Sequence, residues 1–215
     1  ILSKVLQGLR QASPQAEILI VEGVCSKLSL AEIASKNGLY DILGEGMILL
    51  DADTLPCVAY PNRSPAPIRY SEMWAPKLLQ EVDCRISVSA FKITSLKEHP
   101  LVSATLKNLY GLFPRERYKA RSVNSRGQLH RPSVPQILQD VYGTIGYLFN
   151  GGVADCSQKF ISKDWRPDVG QGFDLGYVVW GDSLLTVDRH ACQIAQEPIA
   201  NYLEPIEKLD QMIQR

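Results

Sequence analysis

"AEILIVEGVCSKLSLAEIASKNG" runs from Ala16 to Gly38. Its first part is an apolar run that reads as a short buried strand from Glu17 to Glu22, closed by Gly23. Its second part carries the start and stop signs of a helix. Ser29 stands at the cap, Glu32 completes a capping box three residues later, and Gly38 ends the run. "MILLDAD", Met47–Asp53, then returns to a strand. Upstream, Ile1, Leu2, Val5, Leu6 and Leu9 repeat at helical spacing. This helix–strand–helix–strand order predicts an α/β fold, with a mixed or mostly parallel central sheet flanked by helices.

Further along, "DTLPCVAYPNRSPAPIRY" (Asp53–Tyr70) holds four prolines and reads as a loop or a strand edge. "APKLLQEVD" reads as a short helix with Pro76 near its start. "CRISVSAF" reads as a strand that delivers Lys92 near its carboxyl end, and "LVSATLKNLYG" as a helix capped by Gly111. From Arg115 to Arg131 lie five arginines, one lysine, one histidine and a single acid, Glu116. That segment is predicted to be a mobile basic loop. "SVPQILQDVYGTIGYLF" resumes helical spacing, and "GGVADC" is a short strand ending at Asp155. "SKDWRPDVGQGFDLG" reads as a polar, glycine-rich loop. "YVVW" is a strand, and Asp182 beyond it is placed to cap a helix from Ser183 to Ala195. Residues 198–215 form a final helical segment.

The 215 residues suit one domain, and the lack of an initiating Met suggests trimming at the N-terminus. With 45% hydrophobic and 21% charged residues the chain can bury a core. The 23 basic and 23 acidic residues cancel, which argues against nucleic acid and anionic membranes as partners. No apolar run is long enough to cross a bilayer. Cys25, Cys57, Cys84, Cys156 and Cys192 are scattered and lack any CxxC spacing, so free thiols in the cytoplasm are expected.

Several segments together resemble the DUF362 family, a domain of unknown function. They are "ILIVEG", the strand and lysine of "ISVSAFK", the helix "SATLKNLYG", and "VVWGDSLLTVDRHACQIA". In that family the lysine-ending strand is often followed closely by histidine. Here Thr94 stands at that place, and His99 is the candidate to replace it after a short insertion. Asp182 and Asp188 match the family's aspartates before and within the last helix. Many relatives carry a ferredoxin-like iron–sulfur module, whose cysteine spacing is lacking here, so no iron–sulfur cluster is expected.

Ligands of open α/β sheets collect beyond the carboxyl ends of strands. Lys92 is therefore the leading candidate to bind a small anion or act in catalysis, with His99 as a titratable helper. Lys107, Asn108, Arg117 and Arg121 are further candidate ligand-binding residues. Glu22, Asp155, Asp182 and Asp188 are candidate acidic partners. They could orient a lysine or hold a hard divalent cation, which stays a lesser alternative to a site without metal. The expected activity is that of an enzyme or enzyme relic acting on a small anionic ligand. The alternative is a non-catalytic binding module that self-associates or engages a protein partner.

Overall fold

The structure, a computed structural model, describes residues 1–95, 100–163 and 166–213, the side chains of 166–168 excepted. After α1 (Leu2–Ala12), β1 (Ile18–Glu22) and β2 (Met47–Asp51) pair in parallel, from Ile18 opposite Met47 to Glu22 opposite Asp51. Parallel neighbours need a crossover, and α2 (Leu30–Lys36) lies within it. Its capping box is complete: Ser29 Oγ accepts from the Glu32 amide at 3.2 Å, and Glu32 Oε2 accepts from the Ser29 amide at 2.8 Å.

The proline-rich stretch supplies two strands. β3 (Cys57–Pro61) and β4 (Glu72–Pro76) form an antiparallel pair. The link between them gathers round Asp140, on α5 (Val134–Thr144). That buried carboxylate accepts from Asn62 Nδ2 at 2.9 Å and from the amides of Ile68, Arg69 and Tyr70 at 2.9, 2.8 and 3.0 Å. The expected helix at Pro76 is a 3-10 turn over Lys77–Gln80.

The largest sheet has four strands in the order β6 (Leu101–Ser103), β5 (Ile86–Ser95), β7 (Gly151–Lys163) and β8 (Arg166–Gly181). β5 and β7 run parallel, while β6 and β8 are antiparallel to their neighbours, so the sheet is mixed. Three local readings change. Residues 101–103 are strand rather than helix, and α3 (Thr105–Asn108) is one turn, continued by a 3-10 turn over Leu109–Leu112. The stretch from Ser162 to Gly176, read as a loop, falls largely within β7 and β8. Its glycines serve close approach: a Cβ at Gly170 would stand 2.2 Å from the Ile161 carbonyl oxygen. Third, the 115–131 segment is not an exposed loop throughout, though Arg117, Lys119, Arg121 and His130 do lie exposed. It holds α4 (Arg115–Tyr118) and a 3-10 turn at Gly127–His130, and it buries Tyr118, Arg126 and Leu129.

α3, α5, α6 (Leu184–Ile194) and α7 (Leu203–Ile213) pack over this frame. Phe91, Ile93, Leu106, Ile137, Leu138 and Ile206 fill the core. The β1–β2 unit meets the α3 region where Gly23 abuts Gly111. A Cβ on Gly23 would lie 1.9 Å from the Gly111 carbonyl oxygen, whereas a Cβ on Gly111 would meet nothing nearer than 3.5 Å. Gly23→Ala must therefore shift backbone and should destabilise by roughly 1–3 kcal/mol or more. Gly111→Ala should cost less than about 1 kcal/mol. Urea unfolding of both variants checks the contrast; equal losses would contradict it.

Candidate functional site

The Gly23–Gly111 junction also gathers the charged groups. Glu22, the last residue of β1, accepts from the Gly23 amide at 2.9 Å through Oε1, which lies 3.5 Å from where a Gly111 Cβ would stand. The residue keeps an exposed surface, yet protein crowds its carboxylate. Burial raises its pKa, opposed by the Gly23 hydrogen bond and the Arg126 and Lys92 charges.

Lys92 stands inside β5 rather than at its end, three residues before Ser95. It marks a break in register: from Ala90 to Lys92 β5 advances two residues while β7 advances five, from Asp155 to Phe160. Phe91 and Ile93 on either side are buried and Lys92 is exposed, as strand alternation requires.

Lys107 sits in α3, half-buried, with Nζ 5.9 Å from the Tyr110 ring centroid. Burial, and secondly the Lys92 charge, push its pKa below the ordinary lysine value. His130 packs edge-on against the same Tyr110 ring, with centroids 6.1 Å apart. Its pKa is lowered by burial and then by the Lys107 charge. An amine and an imidazole thus share the Tyr110 ring as a neighbour, its own hydroxyl donating to the Leu129 carbonyl at 2.9 Å.

Arg126 closes the junction from below. Only 2% exposed, it donates through Nε to the Phe113 carbonyl, and through its terminal nitrogens to Val24 O at 3.2 Å and Gly111 O at 3.0 Å. The same head reaches Cys25 Sγ at 3.2 Å and both oxygens of Asp53 at 3.3 Å. Asp53 is shared with Arg115, whose Nε lies 2.6 Å from Oδ2 and whose amide donates to Oδ1 at 2.7 Å.

The structure therefore brings Glu22, Lys92 and Lys107 together and sends other expected residues elsewhere. Asn108 spends its amide donors on β5, at Ser87 Oγ (3.2 Å) and Val88 O (3.1 Å). Arg117 stacks 3.8 Å above the Trp74 ring, and Arg121 lies exposed. Asp155 accepts from the Ser157 amide at 2.9 Å within β7's irregular stretch. Asp182 does not cap α6; Ser183 does, through the Thr186 amide at 3.4 Å. Asp182 instead lines a separate cavity of about 310 Å³ with Arg63, Tyr142 and Asp210.

Asp188 is fully buried and caps α3. It accepts from the Thr105 amide at 2.8 Å, Thr105 Oγ1 at 2.6 Å, the Leu106 amide at 3.2 Å and Tyr202 OH at 2.8 Å. His99 lies outside the described residues. Sequence reasoning passed over Arg126, Asp53, Tyr110, Cys25 and His130. One signal was present: Asp53 closes the "MILLDAD" strand region, where sheet ligands and their supports collect.

Among the described residues no group of three or more His, Cys, Asp or Glu is placed to hold a metal ion, and no helix is long and apolar enough to cross a membrane. All five cysteines are free thiols. The family model for a domain of unknown function (DUF362) matches residues 1–193, and the chain belongs to that family. A comparison with curated proteins found no match.

Arg126→Ala strips Asp53 of one cation and leaves several buried carbonyls without a donor. It should destabilise by about 3–5 kcal/mol. Arg126→Lys should recover only part of this, since an ammonium cannot span the fork of acceptors. Arg121→Ala should stay within about 0.5 kcal/mol. Urea midpoints of the three variants test this ranking.

Proposed function

We propose that this DUF362 domain binds a small anion between Lys92 and Lys107, as an enzyme or enzyme relic. One observation carries the reading. Lys92 stands near enough for its charge to add to burial in lowering the Lys107 pKa, and among the described residues no carboxylate lies within 4.0 Å of either amine. Like charges held together without a partner raise the energy of the free protein, and a bound anion relieves it. Glu22 is too crowded to ionise as easily as a solvated acid, so it neutralises the pair weakly. Developing negative charge on a substrate would be stabilised by the same groups. Free thiols at exposed Cys25 and Cys84 fit a cytoplasmic location.

A second reading, a protein-interaction module, is favoured by one feature. β8 is an outer strand, and it exposes Trp180 at 79% and Tyr177 at 56%. Light scattering across a concentration series separates the two: growth in mass favours this alternative.

Lys92→Ala should weaken binding of sulfate or acetate by about 10-fold or more, on the order of 1.5–3 kcal/mol for a lost charged hydrogen bond. Arg121→Ala should leave it unchanged. Calorimetric titration at fixed ionic strength measures this, and equal affinities for wild type and Lys92→Ala would remove the anion reading.

Affinity should also fall steadily as pH rises from about 5 to about 10. Two shifts act in one direction across the range, and a third adds only at its acid end. Glu22, with a raised pKa, gains its negative charge as pH climbs. His130, with a lowered pKa, is already neutral over most of that range. Lys107 loses its positive charge earlier than an ordinary lysine. Sulfate keeps its own charge throughout, so an affinity that rises with pH would contradict the assignment of these groups to the site.

A further inference from the structure

Lys107 differs from Lys92 in its surroundings. Both amines lack a carboxylate partner among the described residues and each stands near the other's charge, but only Lys107 is crowded by protein, with its Nζ 5.9 Å from the centroid of the buried Tyr110 ring. An amine kept from water beside another positive charge is the arrangement that makes lysine a nucleophile at neutral pH. His130 packs edge-on against the same ring, near enough to feel the Lys107 charge, and its lowered pKa leaves the imidazole neutral and able to accept a proton. Lys92 is exposed and lacks such crowding, so it suits holding a charge rather than reacting.

We propose that Lys107 is a carbonyl-reactive amine, and that the anion held beside it by Lys92 is an oxo acid whose carbonyl carbon condenses with that amine. The inference rests on the anion reading above and adds a substrate class and a covalent step. The Nζ lone pair attacks the carbonyl carbon, and the C=O π electrons move to oxygen, which takes up a proton. The nitrogen gives up a proton to His130. The hydroxyl, protonated a second time, departs as water and leaves a protonated imine, C=NH+, on Lys107. The nitrogen has lost one proton, to His130, and the oxygen has gained two, one matched by that loss and one drawn from solvent, whose positive charge now rests on the iminium nitrogen; no oxidant or cofactor is required.

Lys92 and α3 together set the geometry. α3 is held at its start by Asp188 and at its end by Asn108 on β5, so Lys107 is displayed from a turn tied at both ends. Pre-organisation of this kind lowers the ordering cost of reaching a bound carbonyl.

The test uses the whole chain with pyruvate as probe, sodium borohydride to reduce any imine to a stable amine, and peptide mapping by mass spectrometry. Propanal supplies a carbonyl without the acid, and acetate an acid without the carbonyl. Lys107 should carry the reduced pyruvate adduct in about 10-fold excess over the exposed Lys27 and Lys36. Lys107→Gln should lose that adduct while Lys27 and Lys36 label as before. Lys92→Ala should lower the ratio of pyruvate to propanal labelling at Lys107. An adduct spread evenly over the lysines, or none at Lys107, overturns the proposal even where acetate and sulfate still bind, and the anion reading then stands alone. Lys107 labelling that is equal with pyruvate and propanal, and indifferent to Lys92→Ala, overturns the oxo-acid assignment and counts against Lys92 as the anchor.

Discussion

The structure depends on one buried guanidinium. Taking an arginine out of water costs several kcal/mol unless nearly every donor finds an acceptor. Arg126 meets that condition by collecting carbonyls from the end of β1 and from the turns after α3, together with the carboxylate of Asp53 just beyond β2. No apolar side chain could do this, because the groups being joined are backbone carbonyls that have run out of sheet and helix partners. Among the described residues the small parallel unit and the large mixed sheet share no ladder. Arg126 and the bare backbone contact of Gly23 with Gly111 take its place.

Two further aspartates apply the same logic with the opposite sign. Asp140 gathers three successive amides of the proline-rich link between β3 and β4, and Asp188 gathers the first amides of α3. A four-residue helix has almost no stability of its own, since the cost of its first turn is never recovered by length. α3 persists because Asp188 satisfies its start, Asn108 ties its last residue to β5, and Leu106 is buried beneath it. The amine of Lys107 is thus presented by a turn whose shape is dictated from outside.

Where the chain announces itself locally, sequence reading succeeds. Ser29, Glu32 and Gly38 bracket α2 because capping is decided within a few residues. Glu22 is legible as the last residue of β1, whereas Lys92 reads as the end of its strand and lies inside β5. The failures are long-range. Arg126 looks like one more arginine in a polar run, and only Gly23, Asp53 and Gly111, distant in sequence, reveal that it is buried. The 162–176 stretch reads as loop because its polar residues and glycines suit water, yet a strand on the outer edge of a sheet accepts that composition. Asp182 reads as the cap of α6, and the structure gives that place to Ser183, whose side chain accepts from the Thr186 amide. Asn108 could not be assigned, because nothing local says that Ser87 and Val88 lie beneath it.

The family match stops at residue 193, one residue before α6 ends, but the packing continues. Tyr202 has no exposed surface and its hydroxyl completes the hydrogen bonding of Asp188; Leu203 and Ile206 lie fully inside the core. A fragment cut at residue 193 would keep the anionic hub that orders α3 while discarding the phenol that helps satisfy it. It would also open an oily trough along α5 and α6, where α7 now rests. The boundary that pattern similarity draws and the boundary that cooperativity draws are therefore different. The portable unit of this chain is longer than its recognisable one.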